Sequence, residues 1–226
     1  MRQLRLSSAA VLAVLLLLCA YTGYGFWKEH TPEAALTYIA HAVAAEDREA
    51  FDQYVDMDAV LAGLAEDSAE LLAENIDTLH ARHPSDWFFR HDAAFMRDYM
   101  AARRAADIAF ARAMLDYYFD SARVPISRTD GEARWASDEM RAFAAAYSVT
   151  VGAVHTDGDR AYADVVLHGN DSTYGRLMPT AAFTLELART ADGHWKLVRV
   201  RTAADEDGLF ALVDAAERYW VLQGWD

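Results

Sequence analysis

Apolar residues along this chain change their spacing twice, and each spacing predicts a different kind of element. Residues 9–27 form a nearly unbroken apolar run behind Arg2 and Arg5, closed by Lys28-Glu29-His30. From residue 31 to 146 the apolar positions recur every three or four residues, the period of one helix face. From Tyr147 onward the spacing falls to two, the period of one strand face.

Within the helical stretch, Thr31-Pro32-Glu33 predicts a helix start, with a Thr cap, Pro in the first turn and an acid at the positive end. Leu36, Ile39, Ala40 and Val43 continue it, and Asp47 caps the next segment, which carries Phe51, Tyr54 and Val55. A helix through Val60, Leu61, Leu64, Leu71, Leu72 and Ile76 is predicted to break near Asp67-Ser68. Pro84 and Ser85 place a turn over 80–87. A long helix is predicted over 92–119, with Phe95, Met96, Tyr99, Met100, Ile108, Met114 and Tyr118 on its apolar side and Arg103, Arg104 and Arg112 on its polar side. Val124-Pro125 ends it, a Gly- and charge-bearing loop follows, and a short helix is expected over 139–146.

The strand-period region starts with Tyr147, Val149, Val151, Ala153 and His155 on one face. Thr156-Asp157-Gly158-Asp159 and Ala191-Asp192-Gly193-His194 are hairpin signals. Return strands are expected over 161–167, 182–188 and 195–201, with a loop over 170–179. A closing helix carries Leu209, Leu212, Val213, Ala216, Tyr219 and Trp220. Helices followed by an antiparallel meander define an α+β fold: a helical half, a four-stranded antiparallel sheet and a C-terminal helix.

The apolar run 9–27 would reach about 28 Å as a helix, close to the hydrocarbon thickness of a bilayer. Bases precede it and Tyr21, Tyr24, Phe26 and Trp27 crowd its far end, which predicts a single-pass anchor with the N-terminus in the cytoplasm. Two other readings stay open: a signal peptide cut after the small residues near 20–25, and lipidation at Cys19, where Leu18 is larger than a lipobox prefers. All three put the remainder outside the cytoplasm. The expected organisation is therefore an anchor or signal segment over 1–28 and an extracytoplasmic domain over 29–226, helical over about 31–146 and sheet-forming over about 147–226.

Composition narrows the functions. The chain has 226 residues with a net charge of −14, and the three bases of residues 1–28 leave 18 basic against 35 acidic groups in the rest. Such a surface repels phosphate backbones, so no nucleic-acid partner is expected. The one cysteine, Cys19, lies in the apolar run. The domain therefore has no thiol for a disulfide, a zinc–thiolate site or a nucleophile.

Helices leading into a sheet with the strand Asp192-Gly193-His194-Trp195-Lys196-Leu197-Val198-Arg199-Val200 resemble the cystatin-like cone of nuclear transport factor 2-like proteins. Exported bacterial members of that superfamily carry a comparable Asp-Gly-x-Trp strand late in the chain. The segment Pro32-Glu33-Ala34-Ala35-Leu36, continuing through Ala42, Asp47, Phe51 and Tyr54-Val55-Asp56, also resembles a bacterial family of membrane-anchored domains of unknown function. The two matches cover about 31–60 and 147–202, with about 77–135 as a helical insert. The resemblance implies a cone fold in a tethered setting and transfers no catalytic residue, because that fold hosts enzymes, binders and scaffolds alike.

Residue chemistry names candidates without assembling a motif. His80 and His83, with His91, Asp77, Asp86 and Asp92 nearby, have the residue types of a metal shell, but Pro84 interrupts the helix they would share, so a polar loop is the simpler reading. Asp52, Asp56 and Asp58 have the makings of an acid/base group, although Asp56 and Asp58 read first as helix caps. In the sheet, Asp164, His168, Glu186, Arg199 and Arg201 are the polar residues available to a cone interior, with an Arg199–Glu186 pair conceivable; cross-strand pairs on a solvated face explain them equally. Asp86-Trp87-Phe88-Phe89 and Tyr117-Tyr118-Phe119 read as core aromatics before they read as a recognition patch. Asp205-Glu206-Asp207-Gly208 lacks the closing Glu of a calcium loop, since residue 216 is Ala. Asn170-Asp171-Ser172 is a sequon relevant only in a eukaryotic secretory host.

The sequence thus predicts no catalytic, cofactor-binding or metal-ligating residue and no cofactor. It points to a tethered binding or scaffold domain whose partners are the membrane and an envelope protein or small ligand. A cone-type hydrolase, isomerase or dehydratase using Asp164 or His168 as base is the alternative.

Overall fold

In the computed structural model, which describes residues 30–224, the chain is α+β. The helices are α1 (Pro32–Ala44), α2 (Arg48–Tyr54), α3 (Met57–Glu74), α4 (Ile76–Arg82), α5 (Ala93–Phe119), α6 (Arg128–Ala146) and α7 (Leu209–Gln223), with a 3-10 turn at Phe88–Arg90. The strands β1 (Tyr147–Asp157), β2 (Arg160–Gly169), β3 (Thr180–Arg189) and β4 (Trp195–Arg201) form one antiparallel sheet in the order β1-β2-β3-β4. No helix among the described residues is long and apolar enough to cross a membrane. The expected anchor, residues 1–28, lies outside the described residues.

Helix starts follow the short polar side chains. Thr31, Asp47, Asp56, Asp92 and Ser127 each accept a hydrogen bond from the backbone N–H three residues on. Each thereby satisfies one of the donors a helix leaves open at its N-terminus. Both hairpins turn on glycines with positive φ, Gly158 at +59° and Gly193 at +89°, a region that costs glycine little.

Three expectations about the helices need correction. Helix α3 runs unbroken through Asp67-Ser68, because Asp67 is turned toward the sheet to receive Arg199 Nε at 2.8 Å. Helix α4 continues to Arg82, so His80 is helical and the turn begins at His83. Helix α6 starts at Arg128, far ahead of residue 139, and passes through Gly131. Its buried side is made of Ala133, Ser137 and Ala146, residues too small to stand out in an apolar period.

Alternation along β2 sets the two faces of the sheet. Ala161, Ala163 and Val165 are buried on the inner face, while Tyr162, Asp164 and His168 stand outside. Helices cover the inner face only in part. Ala35 of α1 packs with Ala161, Leu187 and Trp195, while Phe51, Val55 and Val60 pack on Leu197. At the other end of the sheet, Leu212, Ala215 and Tyr219 of α7 pack with Leu167, Ala181 and Phe183. The expected facing of β1 holds only for its first half. The register slips between Val151 and Val154, a bulge that turns Val154 and Thr156 inward in place of Ala153 and His155.

Candidate functional site

The sheet has two unlike ends. At one, the described chain begins: Trp195 Nε1 donates to the carbonyl of His30 at 3.0 Å, and the His30 and His194 rings stack with centroids 4.4 Å apart. Helix α3 starts at this end, where the N–H of its cap Asp56 donates to Leu197 O at 2.9 Å. From there α3 runs along β4 to the opposite end. A seven-residue strand covers about 23 Å, so features beside Thr202 lie well away from the point where residues 1–29 join.

At that far end an open groove of about 470 Å³ lies between the second half of α3, strands β3 and β4, and the first half of α7. Leu64, Leu71, Leu72, Phe183, Val200 and Leu212 form its walls. Its size lies in the range of small-molecule sites, and its lining has their composition of apolar walls with a few polar groups. Those polar groups are Asp67, Ser68, Glu70, Glu74, Arg201 and Thr202.

Most of the charged lining is already engaged. Asp67 holds Arg199 through two guanidinium nitrogens. Gly63 makes that approach feasible, since a Cβ there would stand 3.1 Å from Arg199 Cγ. Arg97 forks onto both oxygens of Glu70 at 3.0 and 2.7 Å, and this bonding lowers the Glu70 carboxyl from its ordinary value. Arg201 turns to the outer face and donates to Glu186 at 3.1 Å.

The Arg199–Glu186 pair anticipated from the sequence does not form. Arg199 does lie on the helical side, but its partner is Asp67. Glu186, only 7% exposed, faces outward and takes Arg160 at 2.8 Å as well as Arg201. Asp164 is on the same outer face and accepts from Thr184 Oγ1 at 3.0 Å. His168 is exposed there. A shallow hollow of about 370 Å³ includes Asp164 and Glu186 and excludes His168. The polar residues of the sheet therefore converge on the solvated side of it.

The other candidates disperse. Asp52 pairs with Arg48 at 2.8 Å, Asp58 with Arg112 at 2.7 Å, and only Asp56 of the three acts as a cap. His80 is exposed, whereas His83 is buried between two carboxylates of α7, Asp214 Oδ1 at 3.2 Å and Glu217 Oε2 at 2.7 Å. Asp86 accepts from the N–H of Phe88, and Asp92 caps α5. Among the described residues no three His, Cys, Asp or Glu side chains converge as a metal would need. Tyr117 and Tyr118 are buried, and Phe119 packs on Phe51. Trp87 is 55% exposed and lies edge-on to His91, Phe95 and Tyr99. Glu206 pairs with Arg82, and the carbonyl of Asp207 accepts from Ala182.

Two arrangements had no sequence signal. The groove draws on residues from three separate regions of the chain, and only packing unites them. Glu139 Oε2 accepts from Tyr174 at 2.7 Å and Tyr219 at 2.8 Å, tying α6, the β2–β3 loop and α7 together. The Tyr174 hydroxyl is raised from its ordinary pKa chiefly by that bond, and Tyr219 is raised by burial first and the bond second. No family model, curated protein or solved structure matches the chain.

Proposed function

We propose that this chain is a membrane-tethered, extracytoplasmic binding domain of the cystatin-like, nuclear transport factor 2-like type, and that its groove holds an apolar cationic ligand or a partner's apolar side chain flanked by bases. The observation that carries this reading is the groove of about 470 Å³ with aliphatic and aromatic walls. Acids outnumber bases in its lining, Asp67, Glu70 and Glu74 against Arg201; Asp67 and Glu70 are held by Arg199 and Arg97, and the acidic 205–207 loop leads into α7. A buried apolar body with a positive fringe meets both features. Tethering is supported by the run 9–27, and the groove's place at the end away from His30 would turn it away from the bilayer.

A general base needs to reach a bound substrate within hydrogen-bond distance. Asp164 and His168 stand on the outer face instead, which favours binding over the enzymatic alternative. Tetraphenylphosphonium, an apolar cation, tests the proposal by equilibrium dialysis of the full chain in lipid nanodiscs against empty nanodiscs. Saturable excess binding that disappears in Ala216→Trp, which fills the groove, is expected. Equal uptake by loaded and empty discs would sink the reading, as would an A216W protein that binds like the parent.

A further inference from the structure

Of the sheet's two edges, β1 is the one that the described residues leave open. Its packing neighbours are β2 and α6, the helix from which it continues, and α6 turns away to pack along α5. The direction of its free backbone groups follows from one bond and the register. Asn170 N–H donates to Ala146 O at 2.9 Å, and Ser148 pairs with His168 and Thr150 with Val166. In an antiparallel ladder the bonded pairs alternate. Ser148 and Thr150 therefore exchange bonds with β2, and Val149 and Val151 aim their N–H and C=O groups outward; at Tyr147 the N–H is taken by Ala144 O, which leaves only its C=O on that side. Two of these residues also expose apolar side chains, Val149 at 59% and Val151 at 47%.

Natural sheets protect a free edge with lysine, proline, inward charge or a covering segment. Residues 147–156 contain no Asp, Glu, Lys, Arg or Pro. The bulge after Val151 limits the regular edge to 147–151 and is the one protective device among the described residues. In a chain of net charge −14, this is a neutral strip on which two copies can meet with no like charges directly opposed.

We infer that β1 is a self-association edge: two copies of this chain pair their β1 strands antiparallel about Val149, joining two four-stranded sheets into one. A two-fold axis at Val149 sets Val149 against its own copy and Tyr147 against Val151. All three pairs are then of the bonded kind, giving about four backbone hydrogen bonds, since each copy's Tyr147 N–H stays with Ala144 O. The exposed valines of both copies come together on the inner side of the joined sheet. A basic partner strand would gain nothing from this neutral edge, which is why a second copy suits it better.

Sedimentation of the full chain in detergent micelles, over a range of concentrations, tests the pairing. Val149→Pro removes a donor that points away from β2, so the β1–β2 ladder stays intact. Val149→Lys supplies the missing edge charge and decides the matter if the proline variant does not fold. The parent is expected to be a dimer. Either variant should raise its dissociation constant about tenfold or more, because a symmetric pair loses both copies' contacts at once. Circular dichroism should show the protomer unchanged. A parent that stays monomeric at the highest concentration overturns the inference. So does a dimer that persists equally in V149P and V149K.

Discussion

Along β4, Val55 forms a bridge with Leu197, Asp56 N–H donates to Leu197 O, Lys196 Nζ donates to Asp52 O, and Trp195 donates to His30 O. Along β1, the described chain supplies side-chain anchorage only near the first residue, where Tyr147 donates to Tyr174 O at 2.9 Å. The two strands border the same sheet, yet one is sealed by the segment that opens the described chain and the other is left uncovered by the described residues. Edge protection is thus a matter of which segment returns to the edge. The short basic strand is covered, and the longer strand, without Asp, Glu, Lys or Arg through Thr156, is open.

The largest way to break this contrast is to remove the covering side. Trp195 is 5% exposed and joins Ala35, Ala161 and Leu187 in one core cluster. Trp195→Ala is expected to cost about 3–5 kcal/mol through the cavity it leaves, measured by urea unfolding of the full chain. A loss below about 1 kcal/mol would mean that the β4 edge is not held there. Asp56→Ala should cost about 1 kcal/mol through its lost cap, again read from the unfolding midpoint.

An alkaline titration probes the open side. Tyr147 is raised from its ordinary pKa mainly by burial, and Tyr174 and Tyr219 are raised as described above. A raised folded pKa means that the native state holds its proton longer than the unfolded chain does. The stability these hydroxyls contribute is therefore complete below pH about 10 and is lost as pH climbs above it. Amide exchange should show β1 losing protection in that window before β4. Simultaneous loss on both edges would contradict the contrast, and Tyr147→Phe should flatten the β1 response. The smallest effect is expected from Val149→Lys on the protomer itself. Its stability should stay within about 0.5 kcal/mol, since that side chain makes little of the core.

Much of the architecture was legible in local chemistry. Thr31, Asp47, Asp56 and Asp92 mark helix starts because a short acceptor next to a nascent helix meets donors that nothing else satisfies. Gly158 and Gly193 mark hairpins because the turns need positive φ. Helix α6 escaped this reading although Ser127 caps it, because packing against α5 through small residues leaves no large apolar stripe. The candidate site was far less legible. Asp67 reads as a helix breaker until Arg199 arrives from β4, and Glu186 reads as a partner for Arg199, which the β4 bulge does set opposite it, until the fold turns Glu186 to the outer face toward Arg160 and Arg201 and Arg199 to Asp67.

By itself the sequence determined the α+β order of elements, their caps and turns, and an acidic composition whose one cysteine is Cys19. These follow from interactions within a few residues of each other, or from composition, and need no knowledge of the fold. Only the tertiary structure decided that Leu64, Phe183 and Leu212 share one groove, that Asp164 and Glu186 lie on the outer face of the sheet, and that the described residues leave β1 as an open edge. Each of these depends on which distant segments meet, and a period of two or of three to four says which side of an element is apolar without saying what will cover it.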